Sequence, residues 1–247
     1  MLADLPSVWF VLWGNAVLAE RVSLDEGAEG VAGPNERHLV ENMPVDPEPA
    51  TMAVALGRLR SAGARRLSLA LPVPGDPLGL GGPAAFTTAA VAAGEAVLAG
   101  DRGLGLLPVG RAAAGRDAAL VRWEVTADVV AAEPGERLGP AETALRLALL
   151  AAANELASLN VAAGTDRPKR SSAQRRRLPP GTDGRAAHLL ETADRMLDTV
   201  AAALVDDGGA LSASQAARRR AALAPLERAA RRAVVAACAL AMSEPRR

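Results

Sequence analysis

The sequence contains no isoleucine, no tyrosine, one lysine, one cysteine and only five aromatic residues: Trp9, Phe10, Trp13, Phe86 and Trp123. Each scarcity excludes something. A single cysteine, Cys238, rules out an intrachain disulfide framework and a cysteine-rich zinc site. Its setting in an Ala/Leu/Val stretch marks a buried, inert thiol, in keeping with a reducing cytoplasm. With so few rings, the core must be packed mainly by Leu, Val and Ala. No apolar run reaches the length of an ordinary spanning helix. The acidic N-terminus is unlike the basic start of a signal peptide. With two histidines and no Gly-x-Ser-x-Gly elbow, a serine triad has little support.

Alanine (57 residues) and arginine (27) are abundant, as are glycine and proline. This bias is what a GC-rich coding sequence produces, so it points to a high-GC bacterium and attributes part of the arginine clustering to codon supply. The formal net charge is zero, yet residues 1–163 sum to −7 and residues 164–247 to +7. Such asymmetry can steer partners, or dock one half on the other.

The 247 residues suffice for a substantial core in one or two domains. The apolar run 7–14, the Gly14-Asn15 turn signal and residues 16–24 predict a β-hairpin, and residues 25–49 an acidic loop. Asp46-Pro47 predicts a helix start, with Met52, Leu56 and Leu59 at helical spacing and Gly63 ending it. Strands are expected at Leu67–Leu71, at 95–99 with 104–109 about a Gly-Asp-Arg-Gly turn, and at Val121–Val129. Residues 84–93 predict a short helix. After Gly139-Pro140 the period becomes helical. Leu145, Leu149, Ala152, Leu156 and Leu159 form a heptad seam. Residues 164–185 predict a basic mobile loop. Two further helices are expected, one carrying Leu189, Ala193, Met196, Val200 and Leu204 and ended by Gly208-Gly209. The other is capped by Ser212 and carries Leu223, Leu226, Ala230, Ala233, Ala237 and Leu240. The reading is α+β: a mostly antiparallel sheet with short helices over 1–139, then a three-helix region over 140–247. Residues 140–163 are placed over the buried face of the sheet.

Three features invite chemistry. The Gly/Pro-rich loop 72–83 runs from a strand end to a helix start, so Gly75, Asp76, Gly79, Gly81 and Gly82 could converge on a small anion. It lacks the Lys-Ser/Thr of a phosphate-binding loop, and Asp76 would repel an anion. The basic stretch 167–177, with Arg170, Arg175, Arg176 and Arg177, could meet phosphates or an acidic partner. No aromatic residue interleaves with it for base stacking. His38 with Glu41 and His188 with Glu191 share a His-x-x-Glu spacing, and are read as polar residues facing water rather than as a metal site.

Pro74-Gly-Asp-Pro-Leu-Gly-Leu-Gly-Gly-Pro83 through Ala92-Ala-Gly-Glu-Ala-Val97 resembles an uncharacterised protein family of high-GC actinobacteria. The resemblance spans some 25 residues and implies no particular activity. The expectation is a non-enzymatic cytoplasmic protein without metal or cofactor. It would act by protein–protein interaction, with another protein or with itself through the Ala-rich seams, and without a membrane. The alternatives are a small anionic-ligand binder or enzyme at 72–83, and a nucleic-acid binder at 167–177.

Overall fold

The computed structural model describes residues 2–33, 36–44, 46–78, 80–113, 119–130, 137–158, 176–205 and 213–241. In chain order these form α1 (Pro6–Leu18), α2 (Leu24–Ala32), β1 (Glu36–Glu41), β2 (Ala50–Thr51), α3 (Met52–Ser61), β3 (Ser68–Ala70) and α4 (Ala84–Ala93). Then follow β4 (Ala96–Ala99), β5 (Leu104–Ala113), β6 (Ala119–Thr126), α5 (Leu138–Ser158), α6 (Gly184–Val205) and α7 (Ala213–Leu240). The fold is α+β. The six strands lie in the order β2-β1-β6-β5-β4-β3, antiparallel throughout except for the parallel pair β1/β6.

The largest departure from the sequence reading is at the N-terminus. Residues 7–18 belong to a helix, not to a hairpin, and every residue from Pro6 to Val17 is buried. A helix covered on all sides shows a continuous apolar run, which the two-residue period of a strand cannot be told from. Pro6 at the first helical position supplies the start. The Gly14-Asn15 pair is a docking point within the helix. A Cβ on Gly14 would lie 2.5 Å from Leu67 Cδ1. Beside it the Asn15 amide pairs with the Leu67 main chain, accepting from its N–H at 2.7 Å and donating to its carbonyl at 2.8 Å. At the other end, buried Glu95 accepts from the Ser7 N–H at 2.9 Å, placing a carboxylate at the positive end of α1.

Residues 25–49 also depart from the expected loop, since they supply α2, capped by Ser23 Oγ on the Glu26 N–H, and all of β1. The third helix begins at Met52 with Thr51 as its N-cap; Asp46 instead pairs with Arg58. The strands of the second half lie near the expected places, although β6 ends at Thr126 rather than Val129. On β6, Val121, Trp123 and Val125 are buried while Arg122 and Glu124 are exposed.

One face of the sheet packs on α1, with Phe10 edge-on to Trp123 at 4.8 Å between centroids. The opposite face over β3, β4 and β5 is covered by α4. A Cβ on Gly105 would sit 2.3 Å from the Phe86 ring, so this glycine is the seat for the ring. Contrary to the expectation from sequence, residues 140–158 do not cover the sheet. Helix α5 packs on α7, and α7 reaches β3 and α1, so that one continuous core joins sheet and helices. The seam of α5 is also shifted: Leu138, Ala141, Leu145 and Ala152 are buried, whereas Leu149 is exposed. On α6 the expected stripe holds through Leu189, Ala193 and Val200, but Leu204 is exposed. Leu159, Ser212 and Gly208-Gly209 lie outside the described residues.

Candidate functional site

The Gly/Pro loop is a tight turn aimed at α7. Val73 and Asp76 exchange main-chain hydrogen bonds at 2.9 and 3.0 Å around Pro74-Gly75, and Gly75 takes φ +81°. The turn presents Asp76 to three guanidinium groups on one face of α7. Arg231 lies 3.4 Å from Oδ2, Arg232 3.3 Å from Oδ1, and Arg228 3.6 Å from Oδ2. Arg231 also donates to the Leu71 carbonyl at 2.8 Å. Burial holds the Arg231 guanidinium below its ordinary pKa, with Asp76 and Glu227 pulling the other way. Asp76 therefore stands where an anionic ligand of this loop would stand, and the loop straps the helical region to the end of β3. Gly81 and Gly82 follow the strap and pack against Val129 and Val130, and Gly79 lies outside the described residues.

The basic stretch is divided. Arg170 and Arg175 lie outside the described residues. Arg176 stacks over Trp9 at 4.3 Å and donates to the Gly30 and Val31 carbonyls at 2.9 and 2.5 Å, at the C-terminal end of α2. A cation at that end meets the negative pole of the helix. The carbonyl of Arg177 accepts from the Trp13 indole N–H at 3.2 Å, and its side chain is exposed. Arg176 and Arg177 line an open groove of about 470 Å³ with Trp13, Glu29, Gly33 and Glu36. Its charges are of both signs.

The two histidines go to different places. His38 is buried on β1, not on a surface loop, and Glu41 points away from it to make a two-pronged pair with Arg122 at 2.7 and 3.0 Å. The Trp123 indole N–H donates to His38 Nδ1 at 3.0 Å. An indole only donates, so Nδ1 is the acceptor and the neutral ring carries its proton on Nε2, which faces Glu36 at 3.5 Å. His188 is exposed on α6. Among the described residues, no group of three or more His, Cys, Asp or Glu could hold a metal ion, and no helix is long and apolar enough to cross a membrane. Cys238 is buried, and burial pushes its thiol up to about 12.

One surface escaped the motif-based reading. On α5, Leu147 is 61% exposed, Leu150 56% and Leu149 41%. At 100° per residue, the buried stripe Ala141, Leu145, Ala152 lies opposite Thr143, Leu147, Leu150, Asn154 and Ala157. These outer residues step by 4, 3, 4 and 3, a second heptad seam facing solvent. The signal was in the sequence, hidden by the richer inward pattern that shares its helix.

No curated protein and no solved structure matches the chain. Family models do match: residues 7–137 fit the N-terminal domain of the Rv1486c-like protein, and residues 139–235 fit its C-terminal domain. The two spans meet where the chain passes from the sheet into α5. Taken in tandem they account for nearly the whole sequence, and the chain belongs to the Rv1486c-like protein family.

Proposed function

We propose that this chain is a non-enzymatic cytoplasmic protein that acts by binding protein, and that the outer face of α5 is its binding surface. One observation carries the reading: two leucines, Leu147 and Leu150, stand exposed on one face of a helix whose opposite stripe is buried. Burying a leucine is favourable by about 1.5–3 kcal/mol, so leaving several in water on one element is a standing driving force for association. The other candidate surfaces support it by default, since Asp76 and Arg176 are engaged within the chain.

The test is amide hydrogen exchange over residues 143–157, in isolation and in cell extract. Protection is expected in extract, and the double variant Leu147→Glu/Leu150→Glu is expected to lose it while keeping its circular dichroism. Equal exchange in both settings would overturn the reading.

A second reading has one observation in its favour. Three guanidinium groups meet two carboxylates, Asp76 and Glu227, at the strap, which leaves one net positive charge for a small anion. A melting shift of several degrees with inorganic phosphate or a nucleotide, lost in Arg228→Ala/Arg232→Ala, is expected on that reading; no shift dismisses it.

A further inference from the structure

The imidazole of β1 is bonded to a partner that suits it in one charge state alone. The His38 side chain is wholly out of water, as is Trp123, and Phe10 seals the indole edge-on at 4.8 Å between centroids. The indole N–H donates to His38 Nδ1 at 3.0 Å, and Nε2 faces the Glu36 carboxylate at 3.5 Å. A hydroxyl in the place of the indole could turn from donor to acceptor when the ring gains a proton, but an indole N–H only donates. The second proton of the ring has to go on Nδ1, where it meets the indole hydrogen. We infer that His38 is an acid-sensitive switch: once charged, its ring gives up Trp123 and pairs with Glu36, a carboxylate that lines the open groove beside Trp13, Glu29 and Arg176.

The charged groups of the surrounding elements set the direction of the exchange. On β1, Glu36 shares the inner face with His38, while Arg37 and Glu41 alternate to the outer face, where Arg122 and Glu124 of β6 also lie. Helix α1 brings no charged residue. Helix α2 carries Asp25, Glu26 and Glu29, of which Glu29 reaches the groove. On α3, Arg58 is taken by Asp46 and Arg60 is exposed. Arg176 and Arg177 stand on the groove wall, Arg176 bonded to the Gly30 and Val31 carbonyls. Among the described residues, Glu36 is the one within ion-pair distance of the imidazole. Its carboxylate attracts a charged ring and the indole opposes one. Charging therefore trades a hydrogen bond inside the core for an ion pair at its margin. The six-residue parallel ladder and the outer Glu41–Arg122 pair keep β1 on β6 meanwhile, so the change is confined to side chains. Acid thus frees the indole and draws one acidic wall of the groove inward.

Nuclear magnetic resonance of the full chain tests this from about pH 8 to about pH 5, the range over which an ordinary imidazole takes up its proton. The Trp123 indole N–H signal, identified by its loss in Trp123→Phe, is expected to shift in step with the His38 ring signals, and its hydrogen exchange to quicken, at constant far-ultraviolet circular dichroism. The Trp9 indole, bonded to the Leu2 carbonyl, is the internal reference and is expected to stay in place. In His38→Gln the amide carbonyl accepts from the indole at every pH, so the Trp123 signal should no longer respond. Glu36→Gln removes the group that receives the charged ring, and the release should then need more acid. A Trp123 signal that is constant in the wild-type chain, or that follows the same curve in His38→Gln, overturns the switch. An unchanged curve in Glu36→Gln overturns the exchange of partners. Should His38→Gln fail to fold, the wild-type titration still decides, because the His38 and Trp123 signals either move together or do not.

Discussion

At the scale of single residues, the molecule uses charge to fasten its parts. Asp76 and Arg231 are both buried, and Arg228 and Arg232 close over them from the solvent side. Removing one member of a buried pair leaves the other uncompensated, at a cost of about 3–5 kcal/mol in a dry site. Here two partly exposed arginines moderate the effect. Asp76→Ala is expected to cost about 3 kcal/mol in urea denaturation, and Arg228→Ala under about 1 kcal/mol because its side chain is mostly in water. Equal effects would contradict the strap. Cys238 gives the pH dependence. Its thiol is pushed up to about 12 in the fold from an ordinary value of 9.0. Above the lower value the unfolded thiol loses its proton and the folded one keeps it. The unfolded state then binds fewer protons, and stability falls as pH rises between the two values, by up to about 1.4 kcal/mol per pH unit. Cys238→Ala should remove that part of the alkaline slope, read as the difference between the two variants' denaturation midpoints from pH 8.5 upward. Parallel slopes would show that the thiol does not stay protonated.

At the scale of elements, close approach decides what a residue is for. Gly27 and Gly30 lie on the face of α2 turned to α1. A Cβ at Gly27 would fall 2.2 Å from Val17 Cγ2, and one at Gly30 2.1 Å from the Trp13 ring. Glycine-to-alanine in a helix ordinarily stabilises by about 1 kcal/mol. Overpacking against a buried ring costs about 1–3 kcal/mol, and a tryptophan fixed by its bond to the Arg177 carbonyl cannot swing aside cheaply. Gly30→Ala is therefore expected to lower the melting temperature, and an increase would show that Trp13 moves freely. The same reasoning explains why α1 read as a strand. Its Gly-Asn pair carries a turn signal in sequence. In the fold it is a notch for Leu67 and an amide that satisfies the Leu67 main chain. The short elements near Gly63, Gly94 and Gly103 were legible because these glycines adopt positive φ next to helix or turn ends. Local chemistry writes such endings directly.

At the scale of the whole molecule, arginines fasten one half to the other, through opposite charge at Asp76 and through neutral acceptors elsewhere. Arg176 grips the end of α2 and the ring of Trp9, Arg231 and Arg232 hold Asp76, and Arg66 reaches the Ala239 carbonyl. Arg176→Ala is expected to destabilise the chain by about 2 kcal/mol, with a change in tryptophan fluorescence. Arg176→Lys should recover only part, since a point charge cannot serve two carbonyls and a ring face together. Unchanged unfolding would place Arg176 outside the docking of the halves. Sequence alone determined the α+β class, the strands β3 to β6, the turn-rich strap, the C-terminal helices and the buried thiol. In each, side-chain period or a glycine or proline acts over a few neighbours. Tertiary structure decided the rest: that α1 is a helix, that α7 rather than α5 meets the sheet, that His38 faces Trp123, and that Leu147 and Leu150 stand in water. An apolar residue records only its aversion to water. Which neighbour relieves that aversion, or whether one does so within the same chain, is fixed by contacts between residues far apart in sequence.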